Sequence, residues 1–169
     1  ERCPLHKLAR LHVIGRGKLP VDVLFIGEAP GDKEDTFGLP FIGRAGTVLN
    51  QMIDAIASKL RKPFTYAITN VVACRPFPRG EDITAPSKES IEACRPRLVE
   101  FIALAKPQLI VSLGKVAAQH LPASGLDMPI IEAWHPSYIL RNGGAGSQQF
   151  KDTVANLTKL FKRAFDGEE

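Results

Sequence analysis

The stretch VDVLFIGEAPGDKEDTFGLPFIGRAG, residues 21–46, decides the fold of this chain. Its first seven residues are apolar apart from Asp22 and end at a glycine, which is typical of a short strand buried in a parallel sheet. The remainder is rich in glycine, proline and carboxylates, which predicts a loop. Open α/β sheets hold their chemistry in the loops that leave the carboxyl ends of strands, so this loop is a candidate site. An ordinary surface loop between a strand and a helix would have a similar composition.

Apolar segments of strand and helix type alternate through the rest of the chain. Strands are expected at residues 66–72, 108–114 and 128–134. Helices are expected from Thr47 as N-cap to residue 62, from Ser87 as N-cap to residue 105 with a kink or break at Pro96, at residues 115–121, and near the carboxyl end. The alternation predicts an α/β fold, three-layer α/β/α, with a central four-stranded, mostly parallel sheet.

Length and composition bound the possible functions. The 169 residues are expected to form a single domain, residues 1–169, with residues 1–20 as an irregular arm. No segment approaches the roughly 20 consecutive apolar residues of a membrane span, so no membrane partner is expected. The net charge of +4 permits a polyanionic partner. An odd number of cysteines, three, cannot all pair in disulfides, which favours a reduced, cytoplasmic setting.

Three strand ends carry polar residues that the predicted sheet would bring together. Glu28 follows the first strand, Asn70 lies in the second, and His135 follows the fourth. Because parallel strands end on the same edge of a sheet, the loops after them emerge side by side. An amide and an imidazole beside a glycine-rich loop suit a pocket that reads a nucleobase. Taken singly, Asn70 would cap a strand end and His135 would pack within a loop.

Four motifs carry a resemblance to a known family: GEAPGDKED (27–35), GLPFIGRAG (38–46), TNVVACRPF (69–77) and HPSYILR (135–141). In this order and at these separations, the motifs resemble those of the family 4 uracil-DNA glycosylases, the iron–sulfur branch of that superfamily. The resemblance covers nearly the whole chain. It implies a DNA repair enzyme that flips uracil out of DNA and hydrolyses its N-glycosidic bond, leaving an abasic site. The implied partner is uracil-containing DNA, single- or double-stranded, and a monomeric, nucleoid-associated enzyme is expected.

The resemblance also implies roles for individual residues. Phe41 matches the aromatic ring that stacks on the flipped base, Asn70 the amide that reads the uracil edge, and His135 the histidine over uracil O2. The implied uracil-binding set is Gly27, Glu28, Ala29, Phe41, Asn70 and His135. The catalytic candidates are Glu28, Glu34 and His135, and the residues do not decide which carboxylate orients the water.

DNA contacts are implied for five residues near the motifs. These are Arg44, Arg75, Ser137, Leu140 and Arg141. Residues 136–141 correspond to a loop that enters the minor groove, where Leu140 would fill the space left by the flipped base. The three arginines would neutralise phosphates, although exposed basic residues are commonly just solvated.

Two features of the motifs bear on the mechanism. Ala29 stands where the best-known uracil glycosylases carry an aspartate, so no single general base is visible. We therefore expect electrostatic stabilisation and a positioned water rather than strong proton abstraction. A related branch traps uracil through a histidine in a basic insertion after the second strand. Residues 73–86 contain no histidine and no insertion, so we expect turnover.

The family's [4Fe-4S] cluster is held by four cysteines, the first two spaced C-x-x-C. Here Cys3, Cys74 and Cys94 match three of them, and His6 stands in place of the other in CPLH. Because histidine replaces cysteine in some iron–sulfur sites, we predict a structural cluster held by all four residues. A cluster with three protein ligands, a zinc ion on the same donors and an absent metal are the alternatives.

A second class of function is compatible with the same motifs. Ala29 and the altered cluster ligand would also suit a non-catalytic iron–sulfur DNA-binding module of this fold, such as an accessory to a polymerase. Incubation with a uracil-containing oligonucleotide followed by alkaline cleavage separates the two.

Overall fold

The computed structural model describes residues 3–78, 81, 85–121 and 126–168. Its strands are β1 Val23–Gly27, β2 Tyr66–Asn70, β3 Leu109–Leu113 and β4 Ile130–Ala133. Its α-helices are α1 Asp32–Phe37, α2 Arg44–Ala57, α3 Lys88–Ala105, α4 Lys115–Gln119, α5 Pro136–Arg141 and α6 Gln148–Phe161. Short turns of 3₁₀ helix occupy Pro4–Lys7 and Gly144–Gly146, and a π-helical turn, Lys162–Asp166, follows α6. Parts of the expected 73–86 loop, at residues 79–80 and 82–84, lie outside the described residues.

The four strands form one sheet in the order β2-β1-β3-β4, and each pairing is parallel. From β1 the chain moves outward to β2, then crosses to β3 on the other side of β1. The strand order therefore reverses between β1 and β3, which opens a crevice at the carboxyl ends of the strands. This confirms the predicted α/β fold and places the candidate loops on one edge.

Side chains alternate between the two faces of the sheet, and each face has its own core. Val23 and Phe25 pack in the core that contains residues of α2, α5 and α6. Leu24 and Ile26 pack in the core that contains residues of α3, α4 and the arm. All four are fully buried, as expected of a strand covered on both sides. The layers are therefore helices, sheet and helices, as predicted.

Two short helices replace expected loops. Helix α1 begins after Gly31, whose N–H donates to Glu34, and its first turn is acidic, which favours a helix amino end. Helix α5 has Pro136 in its first turn and His135 as its N-cap, so residues 136–141 are helical rather than a loop. Neither helix is long enough to show a clear apolar period in the sequence.

The longer helices differ from expectation at two points. Helix α2 begins at Arg44, with Gly43 as N-cap, so the prediction of Thr47 as N-cap was wrong. Helix α3 has the predicted N-cap, since Ser87 accepts a hydrogen bond from the N–H of Ser90, but it continues through Pro96. Pro96 is exposed, so water can satisfy the carbonyl that its missing N–H leaves free. None of the described helices is long and apolar enough to cross a membrane.

The arm is fastened to the body by backbone hydrogen bonds. The N–H of Val13 donates to the carbonyl of Ala73 at 2.7 Å, and Arg16 forms an antiparallel bridge with Ile68 of β2. The fully buried carboxylate of Asp35 on α1 accepts the N–H of Arg10 at 2.7 Å. The arm therefore covers the outer edge of β2 and contacts α1, close to the loop after β1.

We expect Gly46→Ala to destabilise the fold, because an added methyl group would overlap the carbonyl oxygen of Phe41. Relieving that overlap requires a backbone shift, which should lower the free energy of unfolding by about 1–3 kcal/mol. Urea denaturation measures the change. Gly146→Ala is the matched control, since none of the described residues lies within 4 Å of a Cβ at that position. Equal midpoints for the two variants would contradict the close contact at Gly46.

Candidate active site

A pocket of about 400 Å³ opens at the carboxyl edge of the sheet. It is walled by the loop after β1, the segment before α2, the end of β2 and the start of α5. The residues predicted from sequence that line it are Glu28, Ala29, Glu34, Phe41, Arg44, Asn70, His135, Ser137 and Arg141. The structure therefore brings together residues that lie more than 100 positions apart in the chain.

Asn70 supplies a buried and unsatisfied polar atom to this pocket. Only 1% of the residue is exposed, and its Oδ1 has no hydrogen-bond partner in the described part of the chain. Gly27 pairs with Asn70 in the sheet, and a Cβ on Gly27 would lie 2.6 Å from that oxygen. An orphaned buried acceptor costs about 1–3 kcal/mol, so the site is suited to a ligand that brings a donor.

Arg97 of α3 holds the strand end that carries Asn70, a contact that sequence reasoning missed. Its Nη2 donates to the carbonyls of Asn70 and Val71. Its Nη1 donates to the hydroxyl of Thr69 at 2.9 Å and to the carbonyl of Ile14 at 3.1 Å. Nothing in the sequence distinguishes this arginine from the other basic residues on the helix.

Phe41 packs over Gly27 and faces the imidazole of His135. The two ring centroids are 5.7 Å apart with a tilt of 34°. Phe41 has a φ of 53°, a left-handed conformation that is unfavourable for a side chain of this size. Strained backbone of this kind persists where the surrounding structure fixes it, and it clusters at functional sites. Here it holds the aromatic ring as one wall of the pocket.

His135 is held in a defined tautomer. Its Nδ1 accepts the backbone N–H of Ser137 at 3.0 Å and lies 2.7 Å from the hydroxyl of the same serine. The ring proton therefore belongs on Nε2 when the imidazole is neutral. Burial, together with a smaller effect of the nearby charge of Arg141, lowers the pKa of His135 to about 4. At neutral pH the residue is an uncharged Nε2–H donor.

Glu34 acts as a clamp between two loops. Its carboxylate accepts the N–H of Gly31 at 3.1 Å, that of Ile42 at 3.2 Å and that of Gly43 at 2.8 Å. The bonds join the loop after β1 to the segment before α2, so Glu34 fixes the shape of the pocket. Glu28 lines the same pocket, and partial burial raises its pKa.

The residues expected to contact DNA are divided between surface and interior. Arg44 and Arg141 are exposed at the rim of the pocket. Arg75 is buried: it forms an ion pair with Asp32, lies 4.0 Å from the carboxylate of Asp35, and donates to the carbonyl of Leu8. Its charge is directed to α1 and the arm rather than to solvent.

Two further expected DNA contacts are partly engaged within the protein. Ser137 lines the pocket, but its N–H and hydroxyl are both turned toward His135. Leu140 is half-buried and packs against the core that contains α2 and α6.

The three cysteines converge beside the arm, although they come from separate parts of the chain. Cys3, Cys74 and Cys94 pack in the same core. The N–H of Ala73 donates to the sulfur of Cys94 at 3.3 Å, and all three thiols are free. Burial, together with smaller effects of the neighbouring Cys3 and Cys94, raises the pKa of Cys74 to about 11. Thiols are donors of the type that iron–sulfur clusters and zinc use.

His6 lies in the turn that follows Cys3, with its ring exposed. Its Nδ1 is 2.9 Å from the carbonyl oxygen of Cys3, which can only accept, so the neutral ring keeps its lone pair on Nε2. Among the described residues, no group of three or more histidine, cysteine or carboxylate side chains is gathered in a way that could hold a metal ion. The side chains are therefore of a type that binds metals, but the ring of His6 does not join the three thiols in one group.

The chain is similar in sequence to members of a known protein family. Residues 14–158 match the family model described as the uracil DNA glycosylase superfamily. A type-4 uracil-DNA glycosylase from Pyrobaculum aerophilum is 32% identical to this chain, and the match covers 90% of this chain and 85% of that protein. The Thermotoga maritima type-4 uracil-DNA glycosylase is 36% identical, and the match covers 83% of this chain and 77% of that protein.

A third relative, the type-4 uracil-DNA glycosylase of Archaeoglobus fulgidus, is 42% identical. The match covers 72% of this chain and 57% of that protein. The family model covers most of the chain and includes the strand ends that form the pocket. The chain belongs to the uracil DNA glycosylase superfamily, and the three relatives described above are type-4 uracil-DNA glycosylases.

Proposed function

We propose that this protein is a uracil-DNA glycosylase, which takes uracil from DNA into the 400 Å³ pocket and hydrolyses its N-glycosidic bond to leave an abasic site. The observation that carries the proposal is the buried Asn70 amide, whose Oδ1 has no hydrogen-bond partner among the residues that the structure describes. The names of the type-4 relatives support the same substrate and reaction.

Asn70 would read the base by hydrogen bonds. Uracil presents an N–H at N3 and a carbonyl at O4, so the amide can accept from the first and donate to the second. Cytosine presents the opposite pattern at both positions, which would leave buried polar groups unpaired and reject it strongly. Stacking on Phe41, worth roughly 1–3 kcal/mol, would offset part of the few kcal/mol that flipping costs.

His135 would stabilise the leaving group. Cleavage of the glycosidic bond places negative charge on uracil, much of it at O2. The neutral imidazole, with Nδ1 occupied by Ser137, presents Nε2–H as a fixed donor for that charge. A preorganised donor in a water-excluded site is worth far more than the same donor in water.

Glu28 is the better candidate to orient the attacking water. Glu34 already accepts three backbone N–H groups and maintains the pocket wall, so its carboxylate is committed to structure. Glu28 lines the pocket, and its raised pKa makes it a stronger base than an ordinary carboxylate. Its negative charge would also favour the positive character that develops on the sugar.

We further propose that Cys3, His6, Cys74 and Cys94 hold a [4Fe-4S] cluster. The packing of the three cysteines in one core and the lone pair on Nε2 of His6 support this ligand set. When bound, the cluster would supply cross-links between the arm, the segment after β2 and α3. No step of the reaction is assigned to it. Zinc on the same donors is the alternative that the residue types allow.

Arg44, Ser137, Leu140 and Arg141 are proposed to contact DNA around the pocket. The exposed positions of Arg44 and Arg141 at its rim support phosphate contacts. Arg75 would support binding indirectly, by fixing α1 and the loop after β1. We propose a monomeric, cytoplasmic enzyme, associated with the nucleoid through its substrate and active on single- or double-stranded DNA.

Uracil excision is tested with a labelled uracil-containing oligonucleotide that is cleaved by alkali after incubation. The wild-type protein should produce cleavage at uracil and none at cytosine or thymine. Asn70→Ala should lower kcat/KM by at least about 100-fold, since the loss of a base-reading group removes both affinity and discrimination. Gln51→Ala on the exposed side of α2 is the control and should match wild type. DNA binding without any cleavage would favour the non-catalytic module instead.

The tautomer and charge of His135 are tested by NMR titration of its ring. The resonance, assigned by its loss in His135→Asn, should titrate at about pH 4 and stay neutral above it. Arg141→Gln should raise the pKa, because removing a nearby positive charge stabilises the imidazolium. Arg95→Gln, on α3, should leave it unchanged. Because the unfolded chain binds this proton first, stability should fall as pH drops from about 6.5 toward 4. A folded-state pKa of 6.5 would contradict the partly buried, neutral ring.

Metal content is tested on protein purified without oxygen. We expect brown protein with about four iron and four sulfide per chain. His6→Cys should retain the cluster, and His6→Ala should lose iron faster on exposure to a chelator. His12→Ala, at an exposed position further along the arm, is the matched control. Colourless protein with one zinc ion per chain would contradict the cluster, and identical iron loss from His6→Ala and wild type would exclude His6 as a ligand.

A further inference from the structure

A second groove lies beside the chain segment that carries His135. It is lined by Gly114, Lys115, Glu132, Trp134, Asp152 and Asn156, and we call it the Trp134 groove. Its volume of about 390 Å³ is close to the 400 Å³ of the uracil pocket, so it has room for a unit of similar size. Gly114 belongs to this groove and also lies against His135, so the two cavities share a wall.

Trp134 gives this groove an aromatic floor. The residue is 49% exposed although it is large and apolar. Its ring stacks on Tyr138 of α5, with centroids 4.6 Å apart and a tilt of 28°. Tyr138 covers one side of the indole and holds it in place, which leaves exposed ring surface beside the proposed DNA contacts of α5. A fixed aromatic surface of this kind stacks nucleobases without regard to their sequence.

The charges in the groove favour a base over a phosphate. Glu132 and Asp152 are exposed carboxylates that would repel a phosphate but can accept hydrogen bonds from the amino groups of bases. Asn156 offers both a donor and an acceptor. Lys115 at the margin can contact the backbone that enters and leaves the groove. The combination of a stacking ring, carboxylates and a single lysine suits one unpaired nucleobase and its linking phosphate.

We propose that the Trp134 groove binds a nucleobase that neighbours the flipped uracil on the same DNA strand. The inference rests on the proposed function, since it requires DNA at the adjacent pocket. Holding a second unstacked base would stabilise the distorted strand while the uracil occupies its own site.

The chain contains one tryptophan, so intrinsic tryptophan fluorescence reports on Trp134 alone. The protein is titrated with a single-stranded oligonucleotide whose uracil is carried on a 2′-fluoro sugar, because the electron-withdrawing fluorine opposes positive charge on the sugar and so prevents turnover while the uracil is bound. Binding is followed separately by the anisotropy of a dye on the oligonucleotide. We expect the emission to be quenched in parallel with the anisotropy. Trp134→Ala should weaken binding roughly tenfold, the effect of losing one base stack, and Trp134→Phe should recover most of it.

Ile130→Ala is the matched control, because Ile130 is a similarly exposed apolar residue at the opposite end of β4 and is not part of the groove. It should bind the oligonucleotide as wild type does. If the oligonucleotide binds and uracil is excised but Trp134 emission does not change, the groove inference is overturned and the proposed glycosylase function stands. Wild-type affinity in Trp134→Ala would do the same. Absence of both DNA binding and excision would overturn the proposed function together with the inference.

Discussion

The parallel pairing of β1 with β2 is the constraint on which the site depends. Gly27 and Asn70 are partners at the last position of the ladder. The pairing continues past the strands, where Val71 donates to the carbonyl of Gly27 at 2.9 Å and Val72 to that of Glu28 at 3.2 Å. These bonds place the Asn70 amide beside the loop after β1 at a fixed height. A slip of one residue would turn Asn70 to the opposite face of the sheet.

The features predicted from sequence are those that follow from periodicity and from parallel topology. The apolar runs gave four strands near their observed positions, and a shared edge was enough to predict that Glu28, Asn70 and His135 would line one pocket. Helices α1 and α5 were missed because six residues are too few to establish a helical period. Their existence depends on caps and on tertiary contacts that the local sequence does not display.

The different roles of the arginines could not be predicted from the sequence. Arg75, Arg97 and Arg141 look alike in the sequence, yet one is buried against carboxylates, one binds backbone carbonyls, and one stays exposed. A buried arginine is stable only when most of its donors are matched, and the matching partners come from distant segments. Arg97 finds its acceptors on β2 and the arm, and Arg75 finds them on α1 and the arm. Only the assembled fold distinguishes these roles.

The same contacts couple the cysteine cluster to the pocket. Asp35 accepts the N–H of Arg10 in the arm, and Arg75, next to Cys74 in the chain, pairs with Asp32 on the same helix. That helix also carries Glu34, whose three hydrogen bonds shape the pocket wall. An arm that detaches at the cysteines therefore releases partners of α1, and loosening α1 removes the clamp that joins the two loops. A metal that only cross-links the arm could in this way sustain catalysis without contacting the substrate, because local unfolding propagates through shared hydrogen bonds.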